Sequence, residues 1–415
     1  MKQVNIGIIV FGTVGSAVAE VLKKNKAVIA ERAGVEIKVK KICDIRRIKS
    51  PWPLTLDPAT LINDPEISLI VETMGGVNPA KKYVLAALKA CKHVVTSNKE
   101  LVARHLDELL AAAAKNNVSF LFEAAVGGGI PILNTLRDNL AADKIDEIYG
   151  IVNGTTNYIL SKMTEEGIEF SAALNRAKEK GYAEADPKMD IEGYDASFKA
   201  AILGSVAFGA RVRWENVYRE GIEKITAEDI NYAGDIGYVI KLLAVARLDG
   251  GSLDVRVHPA LVAKTHPLAS VSENFNAIYV KGYPVGELMF YGPGAGGAPT
   301  ASAVIGDIIT IANNPLPVTR YSLRACPTLN IEQISGRYYI RLQAEDKHGV
   351  LAGIAKAFAD KKVSIAAVTQ KETVGNLATI IILVHSVSER NLIAAIRTIK
   401  RLAVVRTVSN VIRIL

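Results

Sequence analysis

A run of carboxylates, Glu184, Asp186, Asp190, Glu192 and Asp195, leads into Lys199 in the segment "AEADPKMDIEGYDASFK". Asp195 and Lys199 stand at i and i+4, so a helix would present both on one face. Taken alone, such a pair is a surface salt bridge worth under about 1 kcal/mol. Lys199 is followed, however, by the apolar stretch "AAILGSVAFGA", so this helix must enter the interior. A lysine at the mouth of a buried helix, among carboxylates, is a better catalytic candidate than an exposed one.

A second stretch with chemistry in its spacing is "GIIVFGTVGSAVAEVL", read as strand, glycine turn and helix. A dinucleotide turn is spelled G-x-G-x-x-G, and here Val10 stands where the first glycine belongs. Gly12 would let backbone approach a pyrophosphate, Gly15 would let the helix pack on the strand, and Phe11, Thr13 and Val14 complete the turn. The free N–H groups of the helix start favour an anion. Valine costs little at negative φ and about 1–3 kcal/mol at positive φ. The next strand ends in "ICDIRRIKS". Asp44 could accept from a ribose 2′-hydroxyl, favouring NAD, whereas Arg46 and Arg47 could clamp a 2′-phosphate, favouring NADP. The two guanidinium groups incline the reading toward NADP.

These residues need elements to position them. Short apolar runs ("VNIGIIV", "SLIVET", "HVVTSN", "VSFLFEAAV") alternate with helical patterns over the first 130 residues, which predicts a parallel sheet covered on both faces. The chain is therefore read as α/β. A doubly wound, Rossmann-type nucleotide domain occupies 1–130. A mixed α/β catalytic and dimerising domain occupies 131–300, and a helix at 301–320 returns to the nucleotide domain. A connector at 321–336 precedes a βαββαβ tail at 337–415.

Composition narrows the function. No apolar run approaches the roughly 18 residues of a membrane span, and Met1 leads at once into a strand, so a cytoplasmic protein without membrane partners is expected. Cys43, Cys91 and Cys326 are too few for a disulfide framework. The net charge of +8 lies wholly in residues 337–415, where 13 Lys and Arg face 5 Asp and Glu. No aromatic interleaving accompanies it, so a solvated basic face is expected and nucleic acid is not. None of the six histidines falls where proton transfer is needed.

From Ala177 to Lys199 the sequence resembles the signature of homoserine dehydrogenases at Ala177, Gly181, Tyr182, Ala183, Asp186, Pro187, Asp190, Ile191, Gly193, Asp195 and Lys199. "FGTVG", "SNKELV", "FEAAVGGGIPI", "NGTTNYIL" and "GPGAGGAPTASAV" are similar to the same family, over at least residues 5–310. Val10 departs from it. The resemblance implies reversible, NAD(P)-dependent reduction of L-aspartate 4-semialdehyde to L-homoserine, in threonine, methionine and isoleucine biosynthesis. It implies Lys199 as proton donor, Asp195 as its orienting partner, and Glu184 and Asp190 as grips on the substrate. Lys99 would face nicotinamide and substrate. Asn153, Gly154 and Thr155 would form the loop over the substrate, and Thr73, Thr96, Asn98 and Gly294 would be further coenzyme-binding positions. "EAAVGGGI" resembles a monovalent-cation loop, with Na+ or K+ held by main-chain carbonyls of Glu123, Val126, Gly128 and Ile130.

The tail resembles an ACT domain, the small module that senses amino acids. Asp346, His348, Gly349 and Val350 fall in its first strand–helix loop, which implies an effector site, with threonine the natural ligand of a feedback loop. The tail is expected to be separable, so that removing it leaves turnover intact. A homodimer or tetramer is expected. Two rival readings are an aldehyde-oxidising dehydrogenase acting through a cysteine thioester, for which no cysteine is well placed, and a catalytically impaired nucleotide or amino-acid sensor disabled at Val10.

Overall fold

The computed structural model describes residues 2–314, 316–318 and 323–415. Positions 315 and 319–322, which belong to the expected return segment and connector, lie outside the described residues. The chain forms two compact units: Met1–Val152, Phe198–Val217 and Phe275–Cys326 make the first, and Asn153–Ser197, Tyr218–Asn274 and Pro327–Leu415 the second.

In the first unit β1 (Lys2–Ile9), β2 (Val35–Cys43), β3 (Leu54–Thr55), β4 (Leu69–Glu72), β5 (His93–Thr96) and β6 (Phe120–Leu121) pair in parallel, in the order β3-β2-β1-β4-β5-β6. The order reverses between β1 and β4, and ligands of such sheets bind outside the carboxyl ends of the strands at that point. Ile6, Ile8, Leu69, Ile70 and Val71 are fully buried. This explains why these strands read as continuous apolar runs rather than as alternating ones.

Helix α1 (Thr13–Lys24) follows β1 and buries Val18, Ala19 and Leu22. The helix Gly297–Asn313 buries Ala301, Val304 and Ile308 in the same core, although far away in sequence. Gly297 permits the approach, since a Cβ there would lie 3.2 Å from the Thr13 carbonyl oxygen. The unit also holds an antiparallel ribbon in which β7 (Lys144–Ile151) pairs with Phe275–Tyr283, and that strand pairs with Gly286–Pro293.

In the second unit, strands Tyr238–Asp249 and Ser252–Ala263 form a hairpin. Its turn uses Gly250 and Gly251, both at positive φ, as a tight hairpin turn requires. The tail runs strand Ser335–Glu345, helix Val350–Ala359, strands Ile365–Val374 and Leu377–Ser388, helix Glu389–Ile399 and strand Val405–Ile414. This is the βαββαβ order read from the sequence.

The tail is tied into the rest of its own unit. Its last strand pairs in parallel with Ser252–Ala263, Ala260 opposite Arg413 and Leu261 opposite Ile414, so one sheet runs through both. The physical reason is twofold. Pairing removes an exposed strand edge. Buried polar side chains also cross the junction: Arg341 Nε donates to Asp229 Oδ1 at 2.7 Å, and Asn410 Nδ2 donates to Asp229 Oδ2 at 2.9 Å. The sequence shows none of this because the partners are more than one hundred residues apart.

Candidate active site

The turn after β1 resolves the question that Val10 raises. Val10 adopts φ +71°, a left-handed conformation that strains a β-branched residue by about 1–3 kcal/mol. Two hydrogen bonds hold it there: its N–H donates to Cys43 O at 2.8 Å, and its carbonyl accepts from Thr73 Oγ1 at 2.7 Å. Gly15 is obligatory, because a Cβ would sit 2.3 Å from the Val10 carbonyl oxygen. A Cβ on Gly12 would meet only Val10 Cγ1, at 3.9 Å, which leaves that side of the turn open. No side chain caps the start of α1 and no acid lies in its first turn, while Lys23 and Lys24 lie in its last. The helix dipole and the first-turn N–H groups thus suit a phosphate, and the residues present fit a dinucleotide.

Asp44 is buried at 2% exposure and already engaged. It accepts from the backbone N–H groups of Phe11 and Arg46, and from Arg46 Nε and Nη2, all at 2.9 Å. The Arg46 guanidinium holds this carboxyl well below the usual carboxylate range. Arg46 itself remains 61% exposed on its outer side, and Arg47 beside it is exposed.

At the ends of β4 and β5 the polar groups brace the loops. Thr96 Oγ1 donates to Glu72, and Asn98 caps the helix Lys99–Lys115 by accepting from Leu101 N at 3.0 Å. Lys99 is therefore the first residue of a capped helix. Gly294 and Gly128 meet backbone to backbone: a Cβ on Gly128 would lie 2.5 Å from the Gly294 carbonyl carbon. This fixes the "GPGAGG" loop against the "EAAVGGGI" loop.

The signature segment converges on Asn153. Asn153 Nδ2 donates to Asp190 Oδ1 at 2.6 Å and to Asp195 Oδ2 at 2.9 Å, while its Oδ1 caps the helix Gly154–Glu166 by accepting from Thr156 N at 2.8 Å. Thr155 Oγ1 donates to the Tyr182 carbonyl at 2.6 Å. Gly154 admits no side chain, since a Cβ would lie 2.7 Å from the Asn274 carbonyl oxygen. Lys199, buried at 8% exposure, lies one turn beyond Asp195 on the helix Tyr194–Phe208 and donates from Nζ to the Val152 carbonyl at 2.6 Å. Glu184 is exposed on the loop before Pro187.

Elsewhere, the Glu123 carboxylate accepts from the N–H groups of Ile132, Leu133 and Asn134 at 2.6–2.8 Å. These bonds engage both carboxylate oxygens, and the Glu123 carbonyl accepts from the Val126 N–H at 3.3 Å. Asp307, wholly buried beside Glu123, is pushed up to about 7 by burial first and by that neighbouring charge second. In the tail, Asp346 accepts from Gln370 Nε2 at 3.1 Å, His348 is exposed, and Gly349 adopts φ +85° as the cap of the helix that Val350 begins.

Comparison with known proteins decides the family. A family model described as homoserine dehydrogenase matches residues 131–309, its NAD-binding domain matches residues 11–123, and an ACT domain matches residues 338–404. A homoserine dehydrogenase of Synechocystis is 42% identical, with 99% of each chain covered. The chain belongs to the homoserine dehydrogenase family. A solved homoserine dehydrogenase from Thiobacillus denitrificans superposes with TM-score 0.96 at 41% identity, covering 100% of this chain and 99% of that one. A hyperthermophilic archaeal homoserine dehydrogenase mutant in complex with NADPH superposes with TM-score 0.63 at 32% identity, covering 74% of this chain and 97% of that one.

As a homoserine dehydrogenase, the chain is an NAD(P)-dependent oxidoreductase of amino-acid biosynthesis that interconverts L-aspartate 4-semialdehyde and L-homoserine. The reading as an impaired sensor has no support. Glu72 and Asn276 are not among the residues that the sequence singles out. Glu72 had a usable signal, a carboxylate ending the otherwise apolar run "SLIVE" ahead of a glycine pair. Asn276 had none. It is fully buried, and its tight contact with Gly294 appears only in the fold.

Proposed function

We propose that this enzyme works with NADP and that Lys199 moves the proton of the reaction. The observation that carries this reading is the convergence on two consecutive residues: Val152 holds Lys199, and Asn153 holds Asp190 and Asp195. Bound nicotinamide supplies or accepts the hydride. Lys199 gives a proton to the substrate oxygen as charge grows there, and takes it back in homoserine oxidation. Asp195 keeps that lysine charged and oriented, and Asp190 and Glu184 hold the polar end of the substrate. Asn153, Gly154 and Thr155 close over it, while Lys99 faces the reacting groups.

Arg46 and Arg47 would recognise a 2′-phosphate. Asp44 is spent on Arg46 and on the β1 turn, so it makes a poor acceptor for a ribose hydroxyl, and the paired guanidinium is pre-aligned. Phe11 to Gly15, Thr73, Thr96, Asn98 and Gly294 would shape the coenzyme site. The carbonyls of Glu123, Val126, Gly128 and Ile130 would take Na+ or K+. Threonine would bind at Asp346, His348, Gly349 and Val350. The exposed side chains of Tyr283, Met289 and Tyr291 favour a homodimer or tetramer, and a biosynthetic role goes with the cytoplasm.

Homoserine oxidation, titrated with NAD and NADP separately, tests the coenzyme reading. A higher kcat/KM with NADP is expected. Equal values, or a preference for NAD, would remove Arg46 and Arg47 from it.

A further inference from the structure

Glu72, the last residue of β4, is completely buried. Its Oε2 accepts from Thr96 Oγ1 and its Oε1 accepts from the Met74 N–H, each at 2.5 Å. Thr96 Oγ1 in turn accepts from Asn98 N at 3.0 Å, and Asn98 ties back through Nδ2 to the Gly76 carbonyl at 2.7 Å. One carboxylate thus joins the loop after β4 to the loop after β5, at the end of the sheet where ligands bind. The next residue, Thr73, braces the Val10 turn. Past Asn98 the chain enters the helix that Lys99 begins.

We propose that Glu72 is a positioning residue for the reaction: its carboxylate sets the Thr96–Asn98 link and so fixes Lys99. This rests on the role given to Lys99 above. The groups bonded to Glu72 are neutral, namely the Thr96 hydroxyl and the Met74 N–H, and the charged residue that this network places is Lys99. Burial pushes the Glu72 carboxyl up to about 7. Its ionised form accepts both short hydrogen bonds. A proton on Oε1 would face the Met74 N–H, and a proton on Oε2 would turn the Thr96 hydroxyl from donor to acceptor, so protonation loosens the network that leads to Lys99.

The test is Glu72→Gln, read by steady-state kinetics, coenzyme binding and pH. We expect kcat for homoserine to fall about tenfold or more, coenzyme Kd to rise by clearly less than that fall, and the limb of the wild-type pH profile near neutrality to vanish. Thr96→Val, which removes the hydroxyl alone, should reproduce the loss, and it keeps the test alive if Glu72→Gln does not fold. Wild-type kcat and an unchanged pH profile in folded Glu72→Gln would overturn the proposal. So would a loss of coenzyme binding equal to the loss of kcat, since that marks general disruption. Lys99→Ala separates the premise: wild-type kcat there would refute the role of Lys99, whatever Glu72→Gln shows.

Discussion

Arg341 and Asp229 form a buried ion pair, Nε to Oδ1 at 2.7 Å, with side chains 4% and 0% exposed. The arginine lies on the first strand of the tail and the aspartate in the first turn of the helix Ala227–Asp235, where it completes a capping box with Thr226. Arg341 also reaches Glu228 and Thr226.

Removing one partner of such a pair leaves a buried charge uncompensated. Arg341→Met should therefore lose about 3–5 kcal/mol of stability, read by denaturant unfolding. A chain ending near residue 330 should be less stable than the full chain and lose activity on mild heating. Stability within about 1 kcal/mol of wild type in Arg341→Met would show that the tail is only loosely attached.

The strain at Val10 gives a second expectation. Val10→Gly should relieve about 1–3 kcal/mol of left-handed strain, offset by about 0.5–1 kcal/mol of added unfolded-chain entropy. The variant should match or exceed wild type in Tm and bind coenzyme at least as tightly. A clear drop in Tm would mean that the valine side chain contributes more packing than its half-exposed position indicates.

Lys241 gives a third, through pH. It is buried on the strand Tyr238–Asp249, bonds Asn157 Oδ1 at 3.2 Å and the Val271 carbonyl, and burial pushes it down to about 8 from 10.5. Between those values the unfolded chain binds more protons than the folded one, so this group adds stability as pH rises. Relative to Lys241→Met, wild type should gain up to about 3 kcal/mol across that window. The gap between their unfolding free energies, measured below and above it, checks this; a constant gap would place the lysine's titration outside that range.

Much of this was legible in the sequence, for physical reasons that differ by element. The parallel sheet announced itself because strands buried on both faces must be apolar throughout, as "SLIVE" and "HVVT" are. The candidate catalytic segment was legible because Asp195 and Lys199 share a helix and their spacing is local. Three features were not. The φ of Val10 depends on Cys43 and Thr73, the engagement of Asp44 by Arg46 depends on a side-chain rotamer, and the seam at Arg413 and Ala260 depends on two strands that only the fold brings together.

The role of Lys199 is the central claim, and the most direct test is Lys199→Ala assayed for homoserine oxidation while coenzyme binding is titrated in the same preparation. Loss of a proton donor should lower kcat by about 10²–10⁴-fold with coenzyme Kd nearly unchanged. A folded Lys199→Ala enzyme that kept wild-type kcat would contradict it.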